Sequence, residues 1–266
     1  MDGRLKRHIK SKSVVNIVLS IIVVAVMIRK IFMGDFMSVF MCVLTLLLFN
    51  IPMLVEKYLH VDLPIVLESI ILFFIFASTI CGEIASFYTK ISWWDTMLHT
   101  SNGFLMAAIG FAMIDIINRS PRFHISLSPM FVAFVAFCFS MTVGVLWEFF
   151  EFAMDYWFLQ DMQNDRFVDV ISSVSLNEQG LNDAVLLKGI EKTTLHLADG
   201  STYVIENGYM DIGIIDTMKD LFVNLIGAVV FSIIGYFYII GRNKGTFAKK
   251  FIPQLQSKEE KEKTKA

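Results

Sequence analysis

The chain has 266 residues, of which 55% are hydrophobic and only 18% are charged, and its mean hydropathy is +0.61. This composition excludes an ordinary soluble domain and is typical of an integral membrane protein. The formal net charge of −2 is too small to indicate a charged partner. The sequence contains no Gly-rich phosphate loop and no basic helix, so we expect no nucleic-acid partner. The three cysteines lie in apolar runs without a CxxC pair, which predicts buried thiols and no disulfide framework.

Six apolar segments approach or exceed the length of about 20 residues that a membrane-spanning helix needs. The first follows a basic start, as in a signal peptide, but no small-residue cleavage motif follows it, so we expect it to be retained. The predicted fold class is therefore an all-α integral membrane protein, a six-transmembrane-helix bundle. The predicted helices are Val14–Ile28, Phe36–Val55, Ile65–Tyr88, Trp94–Ile117, Pro129–Phe158 and Ile215–Ile240.

The distribution of Lys and Arg predicts which side of the membrane each connection faces. If the N-terminus is cytoplasmic, most of the 23 cations fall in inside segments, chiefly in the two tails. We therefore expect a multi-pass protein of the bacterial plasma (inner) membrane with both termini in the cytoplasm. The predicted organisation is a basic cytoplasmic N-terminus at 1–13, helices one to five within 14–158, an extracytoplasmic loop at 159–213, helix six within 214–241 and a basic cytoplasmic tail at 242–266.

The long loop at 159–213 contains the signal of a β-hairpin. Thr193–Leu197 and Thr202–Glu206 flank Asp199-Gly200, a dipeptide that favours a tight hairpin turn. Asn207-Gly208 predicts a further turn. We therefore expect a small extracytoplasmic β element beside the helices.

Polar side chains recur at helical spacing on the fourth, fifth and sixth predicted helices. Spacings of three or four residues place each set on one face of its helix. In the predicted topology, helices four and six begin and helix five ends at the outer surface, so the three faces lie at a similar depth in the outer half. This convergence predicts one outward-facing polar site. The faces are Asp95, His99 and Asn102 on the fourth helix, Glu148, Glu151 and Asp155 on the fifth, and Asp216, Asp220 and Asn224 on the sixth.

So many carboxylates at one depth would repel one another, and something must offset their charge. Protonation, the cations Lys219 and His99, or a bound divalent metal would each do so. A histidine with carboxylates suits zinc, iron or manganese, whereas carboxylates alone suit magnesium or calcium. His99 also suits general acid–base work with Asp95 orienting it. The predicted metal ligands are His99, Glu148 and Asp220, and the predicted catalytic set is Asp95, His99, Glu148, Glu151, Asp216, Asp220 and Asn224.

Some polar and small residues have simpler structural interpretations. Lys219 would pair with Asp216 or with a neighbouring acid. Four glycines within the predicted helices would permit close helix packing and would take no part in chemistry. They are Gly103, Gly110, Gly144 and Gly227.

The polar pattern of helices four to six resembles a known family. The motifs are Asp95-xxx-His99, then Trp147-Glu148-xx-Glu151, then Asp216-xxx-Asp220-xxx-Asn224-xx-Gly227. In this order they resemble the bacterial inner-membrane YjdF family and, more distantly, the VanZ-like membrane proteins linked to glycopeptide resistance. The resemblance covers about half of the chain and does not include the 159–213 loop. The VanZ-like resemblance implies a role in the cell envelope.

Three classes of function are compatible with the sequence. The leading hypothesis is a metal-assisted or acid–base enzyme that acts on a lipid or a cell-envelope precursor, with an activated water because no serine or cysteine nucleophile is indicated. The second is a transporter or an ion or proton pathway, although the inner halves of the helices offer only Asn50, Glu68 and Asp115, which are not aligned. The third is a non-catalytic envelope scaffold whose loop binds a partner. The sequence leaves open whether the site is catalytic, which metal it binds and how many copies assemble.

Overall fold

The computed structural model describes residues 3–59, 61–119, 126–241 and 254–255. Six helical spans in these residues are long and apolar enough to cross a membrane, and two of them, Phe36–Tyr58 and Ile65–Ile84, join adjoining helical elements. This confirms the predicted fold class, and we describe the protein as a multi-pass helical membrane protein. Its helices are α1 (Gly3–Phe32), α2 (Phe36–Leu48), α3 (Ile51–Leu59), α4 (Ile65–Phe76), α5 (Phe87–Lys90), α6 (Trp94–Arg119), α7 (Pro129–Phe158) and α8 (Ile214–Ile240).

The first three predicted helices differ in detail from the observed ones. The first starts earlier, because α1 already begins at Gly3 in the basic segment, whose Lys and Arg residues are good helix formers. The second is interrupted between α2 and α3, next to Pro52, which has no N–H to donate. The third continues from α4 as a π-helical segment, Ala77–Ile84, and then breaks at Ser86, whose φ of 60° is left-handed.

The chain divides into two compact units, one made of 1–144 and 223–266 and the other of 145–222. The first unit contains two buried apolar clusters. In one, Phe111 and Phe231 meet edge to face with ring centroids 6.0 Å apart. In the other, Val23 of α1 and Cys42 of α2 pack with Leu72 of α4. The three cysteines are free thiols; Cys42 is fully buried as predicted, whereas Cys81 and Cys138 are only half-buried.

The first unit also contains a strand pair that the sequence did not indicate. Strand β1 (Val61–Asp62) pairs antiparallel with β8 (Gln254–Leu255). The rest of the predicted cytoplasmic tail, 242–253 and 256–266, lies outside the described residues.

The second unit carries the small β element that was predicted in the loop. Strand β5 (Lys192–His196) pairs with β6 (Thr202–Glu206) around Asp199-Gly200, which confirms the predicted hairpin. A second antiparallel pair joins β3 (Val170–Ser173) to β4 (Val185–Lys188). The short strands β2 (Phe167–Val168) and β7 (Tyr209–Met210) also pair with each other. Asn207 and Gly208 have positive φ values and form the predicted turn before β7.

Candidate functional site

The first predicted pair of site residues lies at the start of α6. Asp95 is in the first helical turn and His99 follows one turn later, where Nε2 of His99 lies 3.4 Å from Oδ1 of Asp95. His99 is buried and Asp95 is half-buried. The carboxylate therefore restricts the orientation of the imidazole ring, which is what a general acid or base or a metal ligand needs.

Asn224 on α8 joins neighbouring helices of the first unit through its side-chain amide. Its Oδ1 accepts a hydrogen bond of 3.2 Å from Nδ2 of Asn102 on α6. Its own Nδ2 lies 3.6 Å from Sδ of Met141 on α7. Nδ2 and Oδ1 thus both take part in interhelical contacts, and we interpret Asn224 as a residue that positions the three helices.

The predicted packing role of the glycines is confirmed in the first unit. A side chain at Gly227 would collide with the backbone carbonyl of Thr100, and one at Gly103 would collide with the carbonyl of Asn224. A Cβ at Gly144 would lie 2.7 Å from Nδ2 of Asn224. The helices approach so closely that Oγ of Ser140 donates to the Gly103 carbonyl oxygen at 2.7 Å.

The acid pair on α7 lies on the buried face of an otherwise exposed helix segment. Glu148 is only 4% exposed, whereas the next residue, Phe149, is 65% exposed. Glu151, one turn later, is also buried and accepts a 2.8 Å hydrogen bond from Nε1 of Trp147. Bulky phenylalanines thus face outward while both carboxylates face inward, as their three-residue spacing predicts.

Asp155, the third acid of this face, lies in the last turn of α7 and binds the loop that follows the helix. Its two carboxylate oxygens accept backbone hydrogen bonds from Met162 at 2.7 Å and from Gln163 at 2.8 Å. The chain reverses there, with Leu159 at a φ of 53°. Asp155 therefore stabilises the loop.

Asp216 at the start of α8 is almost fully buried, with 2% of its surface exposed. Its Oδ1 lies 3.2 Å from the guanidinium of Arg166 and 3.4 Å from Nζ of Lys219. Its Oδ2 accepts hydrogen bonds from the backbone N–H of Asn164 at 3.2 Å and from Nδ2 of the same residue at 3.3 Å. Two cations and an amide therefore neutralise and hold this carboxylate, and they fix the loop to the helix.

Asp220, one turn further along α8, is 1% exposed. Nζ of Lys219 lies 3.4 Å from its Oδ1, so one ammonium group is shared between Asp216 and Asp220. This confirms the predicted pairing of Lys219 with neighbouring acids. The carboxylate oxygens of Asp220 are of the type that divalent metal ions prefer as ligands.

The pKa values of three loop acids near these residues are shifted in opposite directions. Burial raises the pKa of Asp161, and the charge of Asp155 raises it further. The pKa of Asp165 is raised by burial and then by the charge of Asp161. Burial also acts on Asp211, but backbone N–H groups, first that of Arg166, outweigh it and leave the pKa of Asp211 below its usual value. Asp211 thus stays ionised and holds the first turn of α8, where it accepts from the N–H of Ile215 at 2.8 Å.

Sequence reasoning missed the partners that the chain brings in from a distance. Arg166 and Asn164 reach Asp216 from about 50 residues away, and no local spacing indicates this contact. The i, i+4 spacing of Asp115 and Arg119 suggests a surface pair, but Asp115 is 3% exposed and belongs to the buried face of α6. Burial on α6 could have been anticipated, since Phe111 one turn earlier faces the same core.

Comparison with known proteins identifies the family. The profile of the DUF2238 family, described as predicted membrane proteins, matches residues 14–185. The chain belongs to this family. The matched residues include Asp95, His99, Glu148 and Glu151 but not α8.

The chain is also similar to a protein of Thermotoga maritima that is described as an uncharacterized protein. It is 30% identical over 104 residues, which cover 39% of this chain and 52% of the relative. The chain thus aligns with about half the length of that relative. No solved structure matches the chain. Membership in this family of predicted membrane proteins indicates that the chain lies in a lipid bilayer. The descriptions of the family and of the Thermotoga relative do not support the more distant VanZ-like resemblance.

Proposed function

We propose that this YjdF-like protein is a metal-assisted enzyme of the bacterial inner membrane that acts on a lipid or a cell-envelope precursor. The observation that carries the proposal is the burial of His99, Glu148, Glu151 and Asp220 within membrane-spanning helices. An ionisable group at the centre of a bilayer costs about 3 kcal/mol on insertion scales, and such groups commonly serve function. The structural acid Asp216 lies nearer to a helix end, with fixed partners from the loop.

The depths of these residues support a shared site in the predicted topology. His99 lies five residues after Trp94 at the start of α6, Asp220 six residues after the start of α8, and Glu151 seven residues before the end of α7. At about 1.5 Å per residue, each is roughly 8 to 10 Å from the end of its helix. With those three ends at the outer surface, all three groups fall in the outer half of the bilayer.

Each residue has a distinct role in this proposal. His99, Glu148 and Asp220 bind one divalent metal ion, and Asp95 positions His99 through their 3.4 Å contact. Glu151 transfers a proton, with its carboxylate oriented by the indole N–H of Trp147. When bound, the metal supplies a water that is nucleophilic at neutral pH. Asp216 and Asn224 hold the helices and the loop in place through the partners described above.

Metal analysis of the purified full-length protein tests this proposal. After incubation with zinc, manganese, iron, magnesium or calcium and removal of excess ion, we expect about one equivalent of metal per chain in the wild type. His99→Ala, Glu148→Gln and Asp220→Asn should each lower the bound metal by at least tenfold, while Glu178→Gln in the exposed loop should not. A folded wild type that retains none of these ions overturns the proposal, and equal metal in all four variants overturns the ligand assignment.

One observation favours a second candidate function, an ion or proton pathway. Asp115 is buried in the half of α6 that the predicted topology places inside, so a titratable group exists beyond the outer site. Asn50 does not extend such a pathway, because it is exposed and its Nδ2 donates to carbonyls of its own segment, 3.0 Å from Leu46 and 3.2 Å from Leu47. Proton flux in proteoliposomes that is lost in Asp115→Asn would favour the pathway over the enzyme.

A further inference from the structure

A crevice of about 360 Å³ opens among α4, α6 and α8, entirely within the first unit and within membrane-spanning segments. Its walls are mostly apolar, with Ile70 from α4, Phe104 from α6 and Ile226 and Val230 from α8. Two of the wall positions are occupied by small residues, Ser101 and Gly227. Gly227 is needed where it is, since its backbone lies against the Thr100 carbonyl and admits no side chain.

Water is a poor occupant of this crevice. A water molecule takes about 30 Å³ in the liquid, so a dozen or so would be needed to fill it, and each requires two to four polar partners. The hydroxyl of Thr100 already donates to the Thr96 carbonyl at 2.7 Å. A hydrocarbon chain, which is abundant at this depth of a bilayer, satisfies the apolar walls without any hydrogen bond.

The crevice lies deeper along α6 than Asp95 and His99, on a neighbouring face of the same helix. Ser101 and Phe104 follow His99 by two and five residues, so the walls extend about 3 to 8 Å deeper than His99 along the helix. The order of groups along α6 is therefore carboxylate, imidazole, hydroxyl and then apolar wall. An amphiphile with a polar head and a single long chain has the same order of groups. Ser101 Oγ, which makes no hydrogen bond to the described residues, contributes a polar group to the crevice wall.

We propose that this crevice binds the hydrocarbon chain of a lipid substrate, with the lipid head at the level of Asp95 and His99. The assignment of the bound lipid as a substrate rests on the proposed function, whereas binding of the chain does not. Bulk lipid is as apolar as the walls, so selectivity comes from shape and from the polar end. The lipid is thus held by one chain between α4 and α8.

Photocrosslinking of the full chain in nanodiscs tests the proposal. The probe is a phosphatidylglycerol that carries a diazirine in the middle of one acyl chain, diluted into unlabelled phosphatidylethanolamine and phosphatidylglycerol. After irradiation, peptide mapping should show at least fivefold more adduct at Phe104 and Val230 than at Phe40, a lipid-exposed residue of α2 outside the crevice. Equal labelling at Phe40 overturns the proposal.

A matched pair of substitutions on α8 separates a filled crevice from a changed surface. Val230→Trp places a large ring in the crevice, whereas Val229→Trp adds the same ring to an adjacent exposed residue outside it. We expect Val230→Trp to lower adduct at Phe104 at least fivefold and Val229→Trp to leave it within twofold of the wild type. An equal effect of both substitutions overturns the proposal.

His99→Ala distinguishes failure of this proposal from failure of the proposed function. This variant should lose metal and keep the adduct at Phe104, because the crevice walls are unchanged. If the wild type binds no metal but keeps the strong adduct, the proposed function fails and the chain-binding crevice stands. If metal binds but the adduct is weak, the crevice assignment fails and the metal site stands.

Discussion

Each of the two units is stabilised internally by a different kind of polar contact. In the unit formed by 1–144 and 223–266, helices approach through glycines and are joined by neutral groups, such as the amides of Asn102 and Asn224. In the unit formed by 145–222, carboxylates bind backbone N–H groups and cations, as Asp216 does with Arg166 and Lys219. Neutral contacts suit helices in lipid, where charge is costly, and charged contacts suit helix ends and loops in water.

Four ionisable residues of the candidate site depart from this pattern, in addition to Asp115 on α6. His99, Glu148, Glu151 and Asp220 are charged or titratable groups buried within membrane-spanning helices. Structural hydrogen bonding in these helices is already provided by neutral residues, including Ser140 and Asn224. The departure from an otherwise consistent pattern is therefore a physical reason to assign a function to these four residues.

Loss of the buried carboxylate of Asp216 should have the largest effect on stability. In Asp216→Ala, Arg166, Lys219 and Asn164 lose their common acceptor. Hydrogen bonds to a charged group contribute about 1.5–3 kcal/mol, and because both cations are partly exposed we expect a total loss of about 3 kcal/mol. We expect a lower unfolding midpoint in detergent and faster trypsin cleavage within 159–213. Asp169→Ala, at an exposed loop position, is the matched control and should behave like the wild type. Unchanged cleavage in Asp216→Ala would contradict the structural role of its carboxylate.

A methyl group at Gly227 should be the next most harmful change. In Gly227→Ala the new Cβ collides with the backbone of Thr100, and relief by helix displacement costs about 1–3 kcal/mol. Thermal unfolding in detergent measures this effect. Gly241→Ala is the control, because its Cβ would lie 3.2 Å from the Phe237 carbonyl oxygen, which is only a tight contact. Equal midpoints for the two variants would show that close packing at Gly227 does not stabilise the helices.

The amide contact between Asn102 and Asn224 should contribute less than either of these. Hydrogen bonds between membrane helices contribute about 0.6 kcal/mol on average and at most about 1.7 kcal/mol. Asn102→Ala should therefore reduce the free energy of unfolding by an amount in that range, as measured by unfolding in mixed micelles. Thr142→Ala removes only a hydroxyl that donates to the Cys138 carbonyl of its own helix at 2.8 Å. A greater loss in Thr142→Ala than in Asn102→Ala would refute the interhelical role.

The smallest effect concerns the pH dependence of the charged unit. The pKa of Asp211 is lowered, so its stabilising contribution is complete above its usual value of 3.8 and is lost as the pH falls through its lower folded value. The pKa values of Asp161 and Asp165 are raised, so these residues favour the folded loop at low pH and lose that contribution as the pH rises through their folded values.

Carboxyl carbon NMR of the full chain in micelles can measure this order of titration. We expect Asp211 to titrate below Asp161 and Asp165. Asp211→Asn should make the start of α8 less stable at pH 7 while leaving it little changed at a pH below the folded pKa of Asp211, where the wild-type carboxyl is itself protonated. The reverse order of titration would mean that the loop does not hold Asp211 as described.

Much of the fold could be predicted from the sequence. Length and hydropathy identified all six helices, and the bounds of α7 agree at both ends because Pro129 starts the helix and the apolar run ends at Phe158. Periodicity also placed Glu148 and Glu151 on one face, which the structure buries. The Asp199-Gly200 signal identified the β5–β6 hairpin, since turn preferences act over only a few residues.

Long-range contacts decided the rest. The sequence placed Asp216 and Asn224 in the catalytic set with Asp95 and His99, but only the tertiary structure shows that Arg166 and Asn164 hold Asp216 and that Asn102 and Met141 hold Asn224. Helical periodicity and hydropathy depend on neighbours within a few turns, so the sequence by itself determined the spans and the faces of the helices. Which face meets which partner depends on residues that are 50 to 120 positions apart, and tertiary packing alone brings them together.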